Sequence, residues 1–178
     1  MERAGRRFKS DGVERSGIAT LMADAGLTNG AFYAHFASKD DLVATVVTDQ
    51  MESQRERFRA EVLDGRGLEA YLRNYLSPDH RDHPDEGCPS AALLEDIARG
   101  ADATKRAYTD GIVALAEELA GVIDASSSLS ARALSIFAAM IGTLQVTRAI
   151  ADDQLADEVL SCGIDNASAL LGQQQRPN

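Results

Sequence analysis

The chain has no tryptophan, five Phe and four Tyr among 178 residues, and only two cysteines. So few rings leave a core to be filled mainly by Ala, Leu, Ile and Val, a mixture that favours helices. Cys88 and Cys162 lie far apart, and there is neither a charged-then-apolar leader nor an apolar run of about eighteen residues. Neither a secreted, disulfide-stapled scaffold nor a membrane span is supported, and a cytoplasmic location is expected. At this length the chain can bury a real core without crosslinks. Basic charge is also short: 18 Lys and Arg face 28 Asp and Glu, a net charge of -10. Phosphate binding needs cations, so the total argues against nucleic acid. The deficit is uneven, however. Residues 1–50 carry six basic side chains (Arg3, Arg6, Arg7, Lys9, Arg15, Lys39) against seven acidic ones, so most of the excess acid lies beyond them. A near-neutral head on an acidic body and an ordinary solvated surface explain this equally well.

What is present is dense helical punctuation, with no stretch alternating apolar and polar residues long enough for a strand. A short basic helix is predicted from Arg3 to Ser10, ending near Gly12. Ser16 is expected to cap a second helix to about Ala25, closed by Gly26, and Thr28 a third to about His35. Ser38 caps a fourth, with Asp40 and Asp41 at the positive end of its dipole, running to about Leu63 with an exposed charged stretch "QRERFR". Helices follow over Leu68 to Leu76, from Pro89, over about 103–123, over 130–149 and over 153–171, separated by the breaker 64–67, the exposed and mobile loop "SPDHRDHPDEG" and the turn "ASSS". The "GQQQRPN" tail is expected to fray. The fold class is all-α, with about nine helices in total.

The densest signal is "LTNGAFYAHFASKDDL". Three helices with a tight Gly-Leu turn between the second and third describe a helix-turn-helix, whose third helix enters the major groove. A recognition helix of barely two turns cannot stand alone in water, so it must be anchored from behind. Phe32 and Phe36, four apart, are the expected anchors, with Phe8 and Leu21 as partners. Tyr33 and His35 then turn outward toward phosphate, Gly30 allows close backbone approach, and Thr28 and Asn29 are placed to bond phosphate or a base edge. Lys39 would clamp the neighbouring phosphate, and part of the Arg3, Arg6, Arg7, Lys9 cluster is a second candidate for that role.

The span Ser16 to Leu42 resembles the DNA-binding signature of the TetR family of bacterial transcriptional repressors, matched at Ala25, Gly26, Leu27, Thr28, Gly30, Tyr33, His35, Phe36, Ser38, Lys39 and Leu42. The resemblance covers about the first quarter of the chain. It implies a DNA-binding domain over residues 1–45 and a helical effector-binding and dimerisation domain over 46–178, with double-stranded operator DNA, a small-molecule effector and a second copy of the chain as partners, and no cofactor. Two departures stand out: helix one begins almost at Met1, where the family carries a longer lead-in, and Gly17 replaces a hydroxyl residue able to touch phosphate, a loss of roughly 1 kcal/mol. Ser16 is counted with the DNA-binding residues.

Beyond the head, Tyr71, Tyr75, Tyr108 and Phe137 are candidates for the effector cavity wall, each equally suited to plain core. Helix 130–149 is apolar on most sides, and a two-fold operator needs a two-fold protein, so Leu134, Phe137, Ile141, Leu144, Leu155, Val159 and Ile164 are candidates for a homodimer interface. Cys88 precedes Pro89 at a helix start, where the dipole favours thiolate and sensing of oxidants or electrophiles; the bland alternative is a half-buried unreactive thiol, and Cys162 is assigned to packing. Asp79, His80, Asp82, His83 and Asp85 contain an H-x-x-H pair, read as a solvated acidic loop and not as a metal site. Two rival classes remain. One is a hydrolase using Cys88 with His80 or His83, supported only by proximity in sequence; the other is a helical protein-interaction module whose head does not bind DNA.

Overall fold

The computed structural model describes residues 1–63, 65–123 and 131–172, and every regular element among them is helical. In chain order these are α1 (Glu2–Asp11), α2 (Ile18–Ala25), α3 (Asn29–Tyr33), α4 (Lys39–Phe58) continued by a π-helical turn (Arg59–Leu63), α5 (Leu68–Tyr75), α6 (Pro78–Asp82), α7 (Pro89–Arg99), α8 (Asp102–Ile123), α9 (Ala131–Ala149) and α10 (Asp153–Gly172). Asp64, the expected turn at 125–128 and the tail beyond Gly172 lie outside the described residues. The chain divides into two compact units, one of residues 1–54 with 84–112, the other of 55–83 with the chain from 113 onward.

In the first unit, α1 to α4 share one core with α7. Phe8, Leu21, Met22 and Phe32 from the three short helices meet Leu42, Val43, Val46, Val47 and Met51 of α4 and Leu93 and Ile97 of α7. Burying each such side chain stabilises the unit by about 1.5–3 kcal/mol. Gly26 closes α2 in the left-handed region (φ 72, ψ 25), where a side chain would be strained. Gly26 N–H donates to the Ala23 carbonyl at 3.0 Å and Leu27 N–H to the Met22 carbonyl at 2.8 Å, so the last carbonyls of α2 are satisfied while the chain turns sharply into α3. The start of α4 is fixed by a reciprocal cap. Ser38 Oγ accepts the Asp41 N–H at 3.1 Å, and the Asp41 carboxylate accepts the Ala37 N–H at 3.0 Å.

In the second unit the rings cluster. Phe58 meets Tyr71 edge-on at 5.1 Å and Phe137 at 6.5 Å, Tyr71 lies 6.0 Å from Tyr75, and the His80 ring stands edge-on to Tyr75 at 4.7 Å. In "QRERFR" Glu56 and Arg57 are exposed as its charges suggest, but Gln54 and Phe58 are buried. Arg55 and Arg59 instead converge on Glu118 Oε1 at 3.0 and 2.5 Å. Helix α10 lies along α9, and at Gly163 any Cβ would stand 2.6 Å from Thr143 Cγ2, so the close approach requires glycine.

The segment expected to be a mobile loop, residues 77–87, is organised. Ser77 Oγ accepts the His80 N–H at 3.2 Å and Pro78 occupies the first turn of α6. Arg148 of α9 donates to the carbonyls of Arg81 (3.1 Å) and His80 (2.9 Å), and Arg81 pairs with Asp157 at 2.7 Å. Its bond to Asp82, with help from Asp157, holds the Arg81 guanidinium protonated even more firmly than usual. The composition suggested exposure; partners distant in sequence supply the order.

Candidate nucleic-acid interface

Helix α3 is five residues long, too short to persist unsupported. Its support is the inward pair of rings. Phe32 is 1% exposed in the first unit's core, with Phe36 packed against that core and the two ring centres 5.5 Å apart. With those rings turned in, Thr28, Asn29, Gly30, Tyr33 and His35 are left exposed. Tyr33 is 69% exposed, its ring lying edge-on to Phe32 at 5.0 Å. His35 sits in the turn after α3, its ring 6.5 Å from Phe36. Thr28 is the N-cap residue in extended conformation, but its hydroxyl makes no cap bond. Lys39, at the first position of α4, directs Nζ to the Glu14 carbonyl at 3.4 Å, a long bond that ties α4 to the α1–α2 turn. Exposed Arg15 adjoins Glu14 and was not singled out in the sequence, where a lone basic residue in a turn carries no pattern.

Several expectations need correction. Ser16 is 1% exposed and its hydroxyl donates to the Gly12 carbonyl at 2.8 Å, so it neither caps α2, whose N-cap is Gly17, nor faces outward. The basic cluster on α1 is spent internally. Arg3 donates to the Asp24 carbonyl at 2.6 Å, Arg7 bridges Asp11 and Asp24 at 2.8 and 3.0 Å, Arg6 reaches Glu86 at 2.8 Å, and Lys9, buried, donates to the Gly87 carbonyl at 3.0 Å. These bonds hold α1 to α2 and to the segment ahead of α7. The Asp11 carboxyl is held below the usual carboxylate range, chiefly by the Ser10 hydroxyl bond, with Arg7 and Arg15 adding to it.

Elsewhere the predicted groups separate. Tyr71, Tyr75 and Phe137 come together as buried rings of the second unit, whereas Tyr108 lies against the core of the first, its hydroxyl donating to Ser90 Oγ at 3.2 Å and its pKa raised by burial. Cys88 is the N-cap residue of α7 but only 4% exposed, so its sulfur is not open to an oxidant or electrophile from solution; Cys162 is exposed, not packed. Of the interface candidates, Phe137, Ile141 and Leu144 are buried within the protomer, because in an all-round apolar helix the bulkiest side chains turn to the protomer's own core. Leu134, Val159 and Ile164 are half-buried, Leu155 is 47% exposed, and α9 shows Ser135, Ala138, Ala139 and Val146 outward. Among the described residues no group of three His, Cys, Asp or Glu is placed to hold a metal ion.

Helices α1 to α3 are thus arranged as a helix-turn-helix, and known proteins share this arrangement. Residues 1–46 match the family of bacterial regulatory proteins, tetR family. The whole chain superposes on E. coli NemR in its reduced form (17% identity, 94% of this chain and 95% of that one, TM-score 0.69). It also superposes on SCO4454, a TetR-family transcriptional regulator from Streptomyces coelicolor (17% identity, 98% and 93%, TM-score 0.67), and on FadR from Bacillus subtilis, solved in complex with stearoyl-CoA (13% identity, 96% and 95%, TM-score 0.66). At such identities the likeness is one of fold. No curated protein sequence matches the chain. What the chain shares with these regulators is the family match over residues 1–46 and the all-helical fold.

Proposed function

We propose that the protein is a repressor that binds a palindromic operator as a homodimer and is released by a small-molecule effector. The observation that carries this reading is the two-sided α3, with Phe32 in the core and Thr28, Asn29, Gly30 and Tyr33 exposed beyond it. On this reading α3 lies in the major groove, Tyr33 and His35 bond phosphate, and Lys39 and Arg15 grip the strand at the α1–α2 turn. Residues 1–45 then serve DNA and residues 46–178 serve effector binding and dimerisation, in the cytoplasm, where operator DNA is. No described helix is long and apolar enough to cross a membrane.

A second copy would pair through the outward small-residue side of α9 and the Leu155 side of α10, because a two-fold operator calls for a two-fold protein. The solved FadR complex holds stearoyl-CoA, which favours an effector with a long apolar part here, taken up at the ring cluster of Phe58, Tyr71, Tyr75 and Phe137. An effector lowers DNA affinity only by binding the DNA-incompetent spacing of two heads better than the competent one. Helix α4 begins in the head and ends at Phe58, which belongs to the ring cluster, so it is the natural carrier of that change. The burial of Cys88 favours regulation without a catalytic cysteine. A gel shift of the full chain on the DNA upstream of its own coding sequence tests the proposal. A retarded band at physiological salt, abolished by Tyr33→Ala with Lys39→Ala, is expected; no band on any operator-length duplex refutes it and favours the interaction-module reading.

A further inference from the structure

If α3 enters the major groove as proposed above, its exposed side says which base pairs it can read. From Ala25 to Ser38 the sequence holds no Lys, Arg, Asp or Glu. The nearest cations in the sequence lie outside this stretch: Lys39 and Arg15 are assigned to phosphate in the reading above, and Arg3 and Arg7 are held by Asp24. This matters because the strong readers of a G·C pair are charged, Arg or Lys forking onto guanine O6 and N7, and Asp or Glu accepting from cytosine N4. Neither occurs on α3 or in the turns on either side of it.

What is available suits the other pair. At about 100° per residue, Gly30 and Ala34, each two positions from inward-facing Phe32, stand nearly opposite it at the centre of the exposed side. Ala34 keeps helical backbone angles (φ -77, ψ -20), and a Cβ at Gly30 would meet nothing nearer than Thr28 Oγ1 at 3.9 Å, so the centre is small, apolar and open to a close surface. Asn29, exposed at the first position of α3, lies about 100° round the helix from Gly30, on the same flank as Tyr33, four residues on. An Asn amide forks onto adenine N6 and N7, and a methyl such as that of Ala or Thr packs on the thymine C5 methyl.

We propose that each half-site is read at A·T pairs, Asn29 bonding the adenine edge and Ala34, with the Thr28 methyl, packing on thymine methyls, and that no G·C pair is specified by α3. This rests on the DNA-binding reading, and one experiment separates the two. Selection of the full chain against random duplexes is followed by the same selection with Asn29→Ala and Asn29→Lys, both at an exposed position, with folding checked by circular dichroism. Expected is a palindrome whose half-sites carry A·T where the preference changes with residue 29, with G·C there weakening wild-type binding about 5- to 150-fold, as for loss of one forked pair. Asn29→Lys should move that position toward guanine, and uracil in place of thymine should weaken wild-type binding several-fold. A wild-type preference for G·C at the positions governed by residue 29, or unchanged affinity for uracil duplexes, overturns the proposal while leaving DNA binding intact. Failure of wild-type protein to enrich any sequence overturns the DNA-binding reading itself.

Discussion

Replacing Phe32 or its neighbour Tyr33 by alanine should have opposite consequences, although the two residues are adjacent and their rings touch. Phe32 is 1% exposed, packed with Phe8, Leu21 and the Val46 side of α4, its ring centre 5.5 Å from that of Phe36. Truncating such a ring leaves a cavity among side chains that can only partly collapse, at a cost of about 3–5 kcal/mol. Against a total stability on the order of 5–15 kcal/mol, that is a large share. It falls on a five-residue helix with no independent stability, so α3 should be lost before the rest of the protein unfolds. Tyr33, 69% exposed, contributes little to the core, and its removal should change stability by no more than about 0.5 kcal/mol. Its hydroxyl is assigned to phosphate, and a hydrogen bond to a charged group is worth about 1.5–3 kcal/mol, so Tyr33→Ala should weaken operator binding roughly tenfold to a hundredfold per half-site. Thermal denaturation by circular dichroism and gel-shift titration read the two effects separately. Phe32→Ala should lower the Tm and abolish binding, whereas Tyr33→Ala should leave the Tm in place and weaken binding. A Tm loss as large for Tyr33→Ala as for Phe32→Ala, or unaltered affinity in Tyr33→Ala, refutes the division into a propped side and a docking side.

Lys39→Ala should weaken binding to all sequences alike and lower the slope of log affinity against log salt by about one unit per protomer, seen in titrations at several salt concentrations; an unchanged slope removes Lys39 from the phosphate contacts. Arg148→Ala frees the His80 and Arg81 carbonyls and should make residues 77–87 a site of rapid proteolysis under native conditions, with cleavage no faster than in the parent counting against the clamp. Val146→Arg, on the 55% exposed outward side of α9, should convert a dimer to a monomer in sedimentation while Tm at high protein concentration falls; a persisting dimer places the interface elsewhere. Cys88 should resist iodoacetamide until the protein unfolds, because 4% exposure leaves the thiol no approach; labelling at the rate of a free-cysteine peptide would show that the α7 start opens.

The head was legible in the sequence because its signals are local. Gly26 at the end of α2, the Ser38 and Asp41 cap and the i, i+4 spacing of Phe32 and Phe36 each act within a few residues, and each sits where the pattern requires. What could not be read depends on partners far along the chain. Residues 77–87 look like a solvated loop until Arg148 and Asp157 are brought to them. The basic residues of α1 look available to phosphate until Asp24, Glu86 and the Gly87 carbonyl take them. Helix α9 is apolar around most of its circumference, so periodicity cannot say which apolar residues face the protomer core. Phe137, Ile141 and Leu144 face the protomer core, whereas Ser135, Ala138, Ala139 and Val146 lie outward. Tyr108 shares a residue type with Tyr71 and Tyr75 but packs in the other unit, a separation that only the fold creates.

Whether the exposed side of α3 is the surface that meets a duplex is tested most directly by amide hydrogen exchange on the full chain with and without its selected DNA. Slowed exchange should be confined to peptides spanning the α1–α2 turn and residues 26–41, including the backbone at Gly30 and Lys39. Protection that leaves those peptides unchanged and falls only on α7, α9 or α10 would contradict the account.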